Sequence, residues 1–204
     1  MIASSRLLSF TIYLCAFVVG GVLMGFEMLG SRYLFPYFGG SIGTWASLIS
    51  TVLCALAIGY FAGSAIVAHY PTQRTIAVAI LIAAAYLACV PATADDVMQR
   101  ILDNIGDGAN ATLIASTALL LVPLTLLGTF SPIAVSILTH SAQQAGRVAG
   151  LVYGVSTIGN VIGTLLTTFT LIPAFGSRAI TYIFALTLAA CAALLFVPAA
   201  KRMP

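Results

Sequence analysis

Chemistry in this chain would start from Glu27. It is the one acid inside a long apolar stretch, and an ionisable group in lipid is costly enough to require a partner or a task. Arg32 stands five residues further on. If the helix carrying Glu27 ends near Gly30 and the chain folds back, carboxylate and guanidinium meet in a pocket at the outer face and pin the loop Tyr33–Gly43. The other reading makes Glu27 a cation ligand or proton carrier, with Arg32 adjusting its ionisation. The ion pair is the expectation here, because transport chemistry needs further partners.

A second polar group comprises Ser156, Thr157 and Asn160. Thr164 continues the four-residue spacing of Ser156 and Asn160 along one helical stripe, and Ser131 is available from the preceding segment. Interhelical hydrogen bonding accounts for such residues in a membrane. A polar cavity would present the same ones, and Asn160 is their most informative member because its amide both donates and accepts.

No catalytic residue, metal or cofactor is expected. His69 and His140 stand singly at segment ends, and Cys15, Cys54, Cys89 and Cys191 fall one by one into separate apolar stretches, where they read as small core residues. No phosphate-binding loop or nucleophile elbow occurs. Lys and Arg are scattered rather than massed, so nucleic acid is not an expected partner.

The elements that must position these residues follow from composition. Of 204 residues, 61% are hydrophobic and 6% charged, a surface that water would not hold in solution. Six stretches are long enough to cross a bilayer, at approximately residues 7–28, 44–69, 75–93, 112–138, 148–173 and 179–198. The expected fold is therefore all-α: a single polytopic domain over residues 1–204, a bundle of about six transmembrane helices with the lipid bilayer as its first partner. Short connections force neighbouring spans antiparallel. Arg6, Arg74, Arg147, Lys201 and Arg202 then fall on one side and Arg32, Arg100 and Arg178 on the other, which predicts cytoplasmic termini.

Between the third and fourth spans, Val97, Ile101 and Ile105 have the spacing of an amphipathic helix, expected over about 94–106 on the outer membrane surface, opened by Thr93 and Asp96 and closed by Gly106 and Gly108. Tyr33, Phe35, Tyr37, Phe38 and Trp45 lie near the same level, as an aromatic belt does. Pro123 and Pro132 bracket Gly128 and predict a kinked or broken fourth helix. Glycines four apart at Gly21/Gly25, Gly59/Gly63, Gly146/Gly150/Gly154 and Gly159/Gly163 predict helix faces where backbones approach closely.

The run Phe26-Glu27-Met28-Leu29-Gly30-Ser31-Arg32, with Pro36-Tyr37-Phe38-Gly39-Gly40-Ser41 and Trp45 after it, resembles the membrane part of the spermidine-synthase-like proteins, described as fused major facilitator/spermidine synthase proteins. The likeness continues through Leu121-Val122-Pro123, Ser131-Pro132-Ile133-Ala134, Gly146-Arg147-Val148-Ala149-Gly150, Ser156-Thr157-Ile158-Gly159 and Leu171-Ile172-Pro173. It implies a bundle like half of a major facilitator protein. In that family a soluble aminopropyltransferase-like domain commonly follows the membrane domain, whereas this sequence ends at Pro204. The resemblance thus implies a noncatalytic membrane subunit in a bacterial inner membrane, anchoring or associating with a separate protein. Two alternatives stand beside it: a dimeric half-transporter for a polyamine-like solute, and a structural or assembly subunit of a larger membrane complex.

Overall fold

The computed structural model describes residues 2–196, with side chains from residue 6 onward. In chain order its helices are α1 (Ile2–Phe38), α2 (Ile42–Val67), α3 (Gln73–Ile105), α4 (Ala109–Gly128), α5 (Phe130–Leu138), α6 (Ala142–Leu166), α7 (Ile172–Ala174) and α8 (Ser177–Phe196), with a π-helical stretch, Thr167–Leu171, between α6 and α7. Taken by continuity they make six apolar spans, Arg6–Phe38, Ile42–Val67, Gln73–Ile105, Ala109–Leu138, Ala142–Ala174 and Ser177–Phe196. The chain is an all-α, multi-pass membrane protein. Lys201, Arg202 and the end of the sixth span near residue 198 lie outside the described residues.

The first span runs ten residues past its expected end. Gly30 does not stop it, because that glycine sits inside the bundle against Leu48 and Leu120. The turn comes instead at Gly39, whose φ of 68° lies in the left-handed region that favours a residue without Cβ. Ser41 then caps α2, its hydroxyl oxygen accepting from the Thr44 N–H at 3.3 Å. The loop expected over Tyr33–Gly43 shrinks to three residues.

The amphipathic helix expected on the membrane surface is the end of the third span. At 1.5 Å per residue, the 33 residues of α3 extend about 50 Å, well beyond the ~30 Å hydrocarbon core. Thr93 donates its hydroxyl to the Cys89 carbonyl at 3.1 Å, in mid-helix, and caps nothing. Pro91 removes one backbone bond without resetting the helical phase, so Ala94 and Met98 are buried while Val97 and Ile105 are exposed. Gly106, at φ 93°, ends the helix.

The fourth span breaks between α4 and α5 at Thr129, as its prolines predict. Pro132 has no N–H to give the Gly128 carbonyl, so the helical ladder is interrupted there.

Two close crossings organise the bundle. On α1 and α6, Gly159 lies against the Phe17 carbonyl and Gly163 against that of Gly21. On α2 and α4, Gly59 lies against the Thr125 carbonyl and Gly63 against that of Thr129. The correspondence extends to single residues: Gly20, just before Gly21, faces Ser156, and Gly128, just before Thr129, faces Leu56, each three residues ahead of the first glycine of its pair. α3 packs on α8. Exchanging the first three spans with the last three reproduces this whole pattern. Because corresponding spans lie three apart and so point in opposite directions, the bundle is an inverted repeat.

Candidate functional site

Glu27 and Arg32 do not meet. On an unbroken helix five residues turn through about 140° beyond a full circle, which puts the two side chains on different faces. Glu27 is 8% exposed and Arg32 is exposed. Among the described residues the single ion pair joins Arg178 to Asp95, and Glu27 has neither an ion pair nor a hydrogen bond.

The α1/α6 crossing fixes which way Glu27 faces. The contacts of Phe17 with Gly159, Gly21 with Gly163 and Gly25 with Thr167 advance in step, so the helices run parallel. Glu27, two residues past Gly25, lies about 200° round α1 from it and so faces away from Thr167 and α6; it is only about 60° round from Gly30, which packs against Leu48 and Leu120. Gly20, Met24, Glu27 and Ser31 form one stripe of α1 by their spacing. On α6, Ser156, Asn160, Thr164 and Thr168 form a stripe by their four-residue spacing. The two stripes meet at Gly20, where a Cβ would stand 2.8 Å from Asn160 Oδ1 and 2.9 Å from Ser156 Oγ.

Asn160 Oδ1 and Thr168 Oγ1 on the fifth span and Thr51 Oγ1 on α2 are buried with no hydrogen bond. Thr164 donates its hydroxyl to the Asn160 carbonyl at 2.9 Å, which leaves its oxygen lone pairs facing outward from that bond. The π-helical stretch widens the helix by one residue per turn and shifts its side chains, a distortion frequent at functional positions.

The remaining polar candidates separate. Thr157 is exposed on the outer side of α6, and Ser131 is buried on α5 with no hydrogen bond to the α6 stripe. Arg32 lines a cleft of about 460 Å³ at the end of α1, together with Tyr33, Tyr37, Asp95, Ser177 and Arg178. Thr181 donates to the Ser177 carbonyl at 2.8 Å, so in its 2.9 Å contact with Tyr33 the tyrosine hydroxyl is the donor. This short chain ties α1 to the start of α8.

Of the glycines singled out by spacing, Gly21, Gly25, Gly59, Gly63, Gly159 and Gly163 lie at helix contacts. Gly146, Gly150 and Gly154 do not: nothing stands within 4 Å of where a Cβ would project. Gly20 and Gly128 belong to the crossings and were missed, because neither stands four residues from another glycine in its own span. Cys15 and Cys191 are buried, but Cys54 and Cys89 are on the outer surface rather than in the core, since their positions turn away from α4 and α8. Phe35 and Trp45 pack edge to face at 5.8 Å, joining the ends of α1 and α2. Among the described residues no group of three His, Cys, Asp or Glu is placed to hold a metal ion. No protein-family model, curated protein or solved structure matches the chain.

Proposed function

We propose that the chain is a noncatalytic membrane subunit of the spermidine-synthase-like kind that associates side-on with another membrane-embedded chain through α2 and α6. This reading rests on the open face those two helices make. The second and fifth spans are the least buried of the six, and Tyr60 and Tyr153 meet edge to face across them at 6.3 Å. Beside Tyr153 the glycines Gly146, Gly150 and Gly154 leave a smooth strip with nothing against it. In lipid, where apolar side chains gain little by leaving the tails, such strips are where helices from different chains pack.

The test is purification of the tagged protein from native membranes in mild detergent, followed by native mass determination. A stoichiometric partner is expected with the wild type and is lost in Gly154→Leu, which fills open space and leaves the bundle itself intact. A bare monomer, or a partner retained in Gly154→Leu, overturns the reading.

The inverted repeat favours a second reading. Three spans plus three inverted spans is how each half of a major facilitator bundle is built, with the solute path at the contact between halves. Two copies meeting at the α2/α6 face would make a polyamine-like solute transporter. Uptake of putrescine into proteoliposomes by a homodimer supports it; a homodimer that moves none does not. In either reading a bacterial inner membrane with cytoplasmic termini is the proposed setting.

A further inference from the structure

We propose that the cleft where α1, α3 and α8 meet binds a phosphate group through the guanidinium groups of Arg32 and Arg178. The open face of α2 and α6 takes no part in this site. The inference therefore goes beyond the subunit and transport readings and stands or falls apart from them.

Depth in the bilayer gives the first reason. α8 has 20 residues and so extends about 30 Å, the thickness of the hydrocarbon core, which leaves it no slack. Its first residues, Ser177 and Arg178, therefore stand at the boundary between hydrocarbon and headgroups. The 2.9 Å contact of Tyr33 with Thr181 and the pairing of Arg178 with Asp95 bring the end of α1 and the Asp95 turn of α3 to the same level. Phospholipid phosphates lie in this layer.

Charge gives the second. Two guanidinium groups against one carboxylate leave the cleft with a positive charge uncompensated, and Asp96, the next acid of α3, does not line it. Arg178 is held by Asp95, whereas Arg32 has neither an ion pair nor a hydrogen bond. At the edge of the hydrocarbon an unpaired guanidinium calls for an anion. Each guanidinium offers five N–H donors and no acceptor, in a fork that fits two oxygens at once. A carboxylate is used up by one such fork, as Asp95 is by Arg178, but a phosphate has oxygens enough to bridge two.

The shape of the cleft agrees. Its volume of about 460 Å³ falls among those of small-ligand sites, roughly 300–1,000 Å³. Gly176 contributes no side chain to it, and a Cβ there would meet open space. Beside Gly176 the N–H of Ile180 is bonded to the Gly176 carbonyl at 3.2 Å, and the N–H groups ahead of it in α8 have no acceptor within the helix, so they add donors to those of the two arginines.

The experiment uses the full chain in mild detergent. Its thermal unfolding midpoint is followed against phosphatidylglycerol, phosphatidylcholine or sodium phosphate at constant ionic strength. Phosphatidylglycerol is expected to raise the midpoint saturably, and phosphatidylcholine, whose own cation offsets its phosphate, to act more weakly. A rise with sodium phosphate as well assigns the site to free phosphate; none assigns it to the lipid headgroup. Arg32→Gln should raise the half-saturating concentration about tenfold, the loss of one charge-assisted contact, while Arg100→Gln, a cation outside the cleft, leaves it unchanged. The proposal is overturned if neither phosphatidylglycerol nor phosphate shifts the midpoint, if phosphatidylcholine matches phosphatidylglycerol, or if Arg32→Gln titrates like the wild type. Should Arg32→Gln fail to fold, the wild type alone decides: the effective ligand must slow modification of Arg32 by phenylglyoxal, read on the peptide by mass spectrometry, and an unchanged rate refutes the site. Loss or retention of a protein partner in Gly154→Leu bears on the docking reading alone.

Discussion

Single residues divide this chain into positions the backbone requires and positions it does not. At Gly159 and Gly163 a Cβ would collide with the carbonyls of Phe17 and Gly21, atoms that cannot step aside without moving α1. Gly159→Ala is therefore expected to destabilise the bundle by about 1–3 kcal/mol, the usual cost of overpacking. Gly154→Ala, which meets open space, should stay within about 0.5 kcal/mol of wild type. Thermal unfolding in detergent checks both, and equal effects at the two sites would mean the crossing is looser than its geometry. Asp95 and Arg178 are both more than half exposed, so Asp95→Asn should cost under about 1 kcal/mol, with the difference shrinking as salt is added. Glu27 was recognisable in the sequence as the residue to explain, but its surroundings were not. The proposed link to Arg32 relied on a helix end at Gly30, and a glycine that stops a helix and one that admits Leu48 and Leu120 look alike in a sequence.

Helices divide in the same way. The six spans were readable because hydropathy alone sets them, and the break in the fourth was readable because proline removes an identifiable donor. The continuation of the third span past Pro91 was not, since Val97, Ile101 and Ile105 mark an amphipathic period without fixing whether the helix before it stops. The π-helical stretch Thr167–Leu171 left no composition signal either: TTFTL would suit an ordinary helix. For the break, Pro132→Ala restores the N–H that Gly128 lacks, and Ile133, whose amide now reaches the Thr129 carbonyl only at 3.5 Å, should tighten. Hydrogen exchange read by mass spectrometry is expected to slow over residues 129–136 in Pro132→Ala. Unchanged exchange would place the cause of the break in the packing of α2, where Gly63 receives the Pro132 ring.

At the scale of the molecule, the inverted repeat was invisible in the sequence because only the paired glycines of the second and fifth spans recur, and a spacing that common carries no register. It becomes apparent when Gly20 and Gly128 are seen doing the same work. The repeat also bears on orientation, because an inverted pair of similar halves gives neither half an intrinsic reason to face one way, and flanking charge must decide. Arg6, Arg74 and Arg147 stand at one set of span ends and Arg32, Arg100 and Arg178 at the other, three against three. Lys201 and Arg202 make the difference. In intact cells a membrane-impermeant maleimide is expected to label Ser41→Cys and Asp107→Cys, and to leave Gln73→Cys and Gln143→Cys unlabelled, once the exposed Cys54 and Cys89 are replaced by alanine. Adding Lys201→Gln and Arg202→Gln should bring Gln73→Cys and Gln143→Cys into the labelled set in part of the population, because the remaining charges balance. If labelling stays one-sided after both substitutions, orientation is set earlier, by Arg6 ahead of the first span or by the acidic end of α3, and the near-symmetry of the two halves has no bearing on insertion.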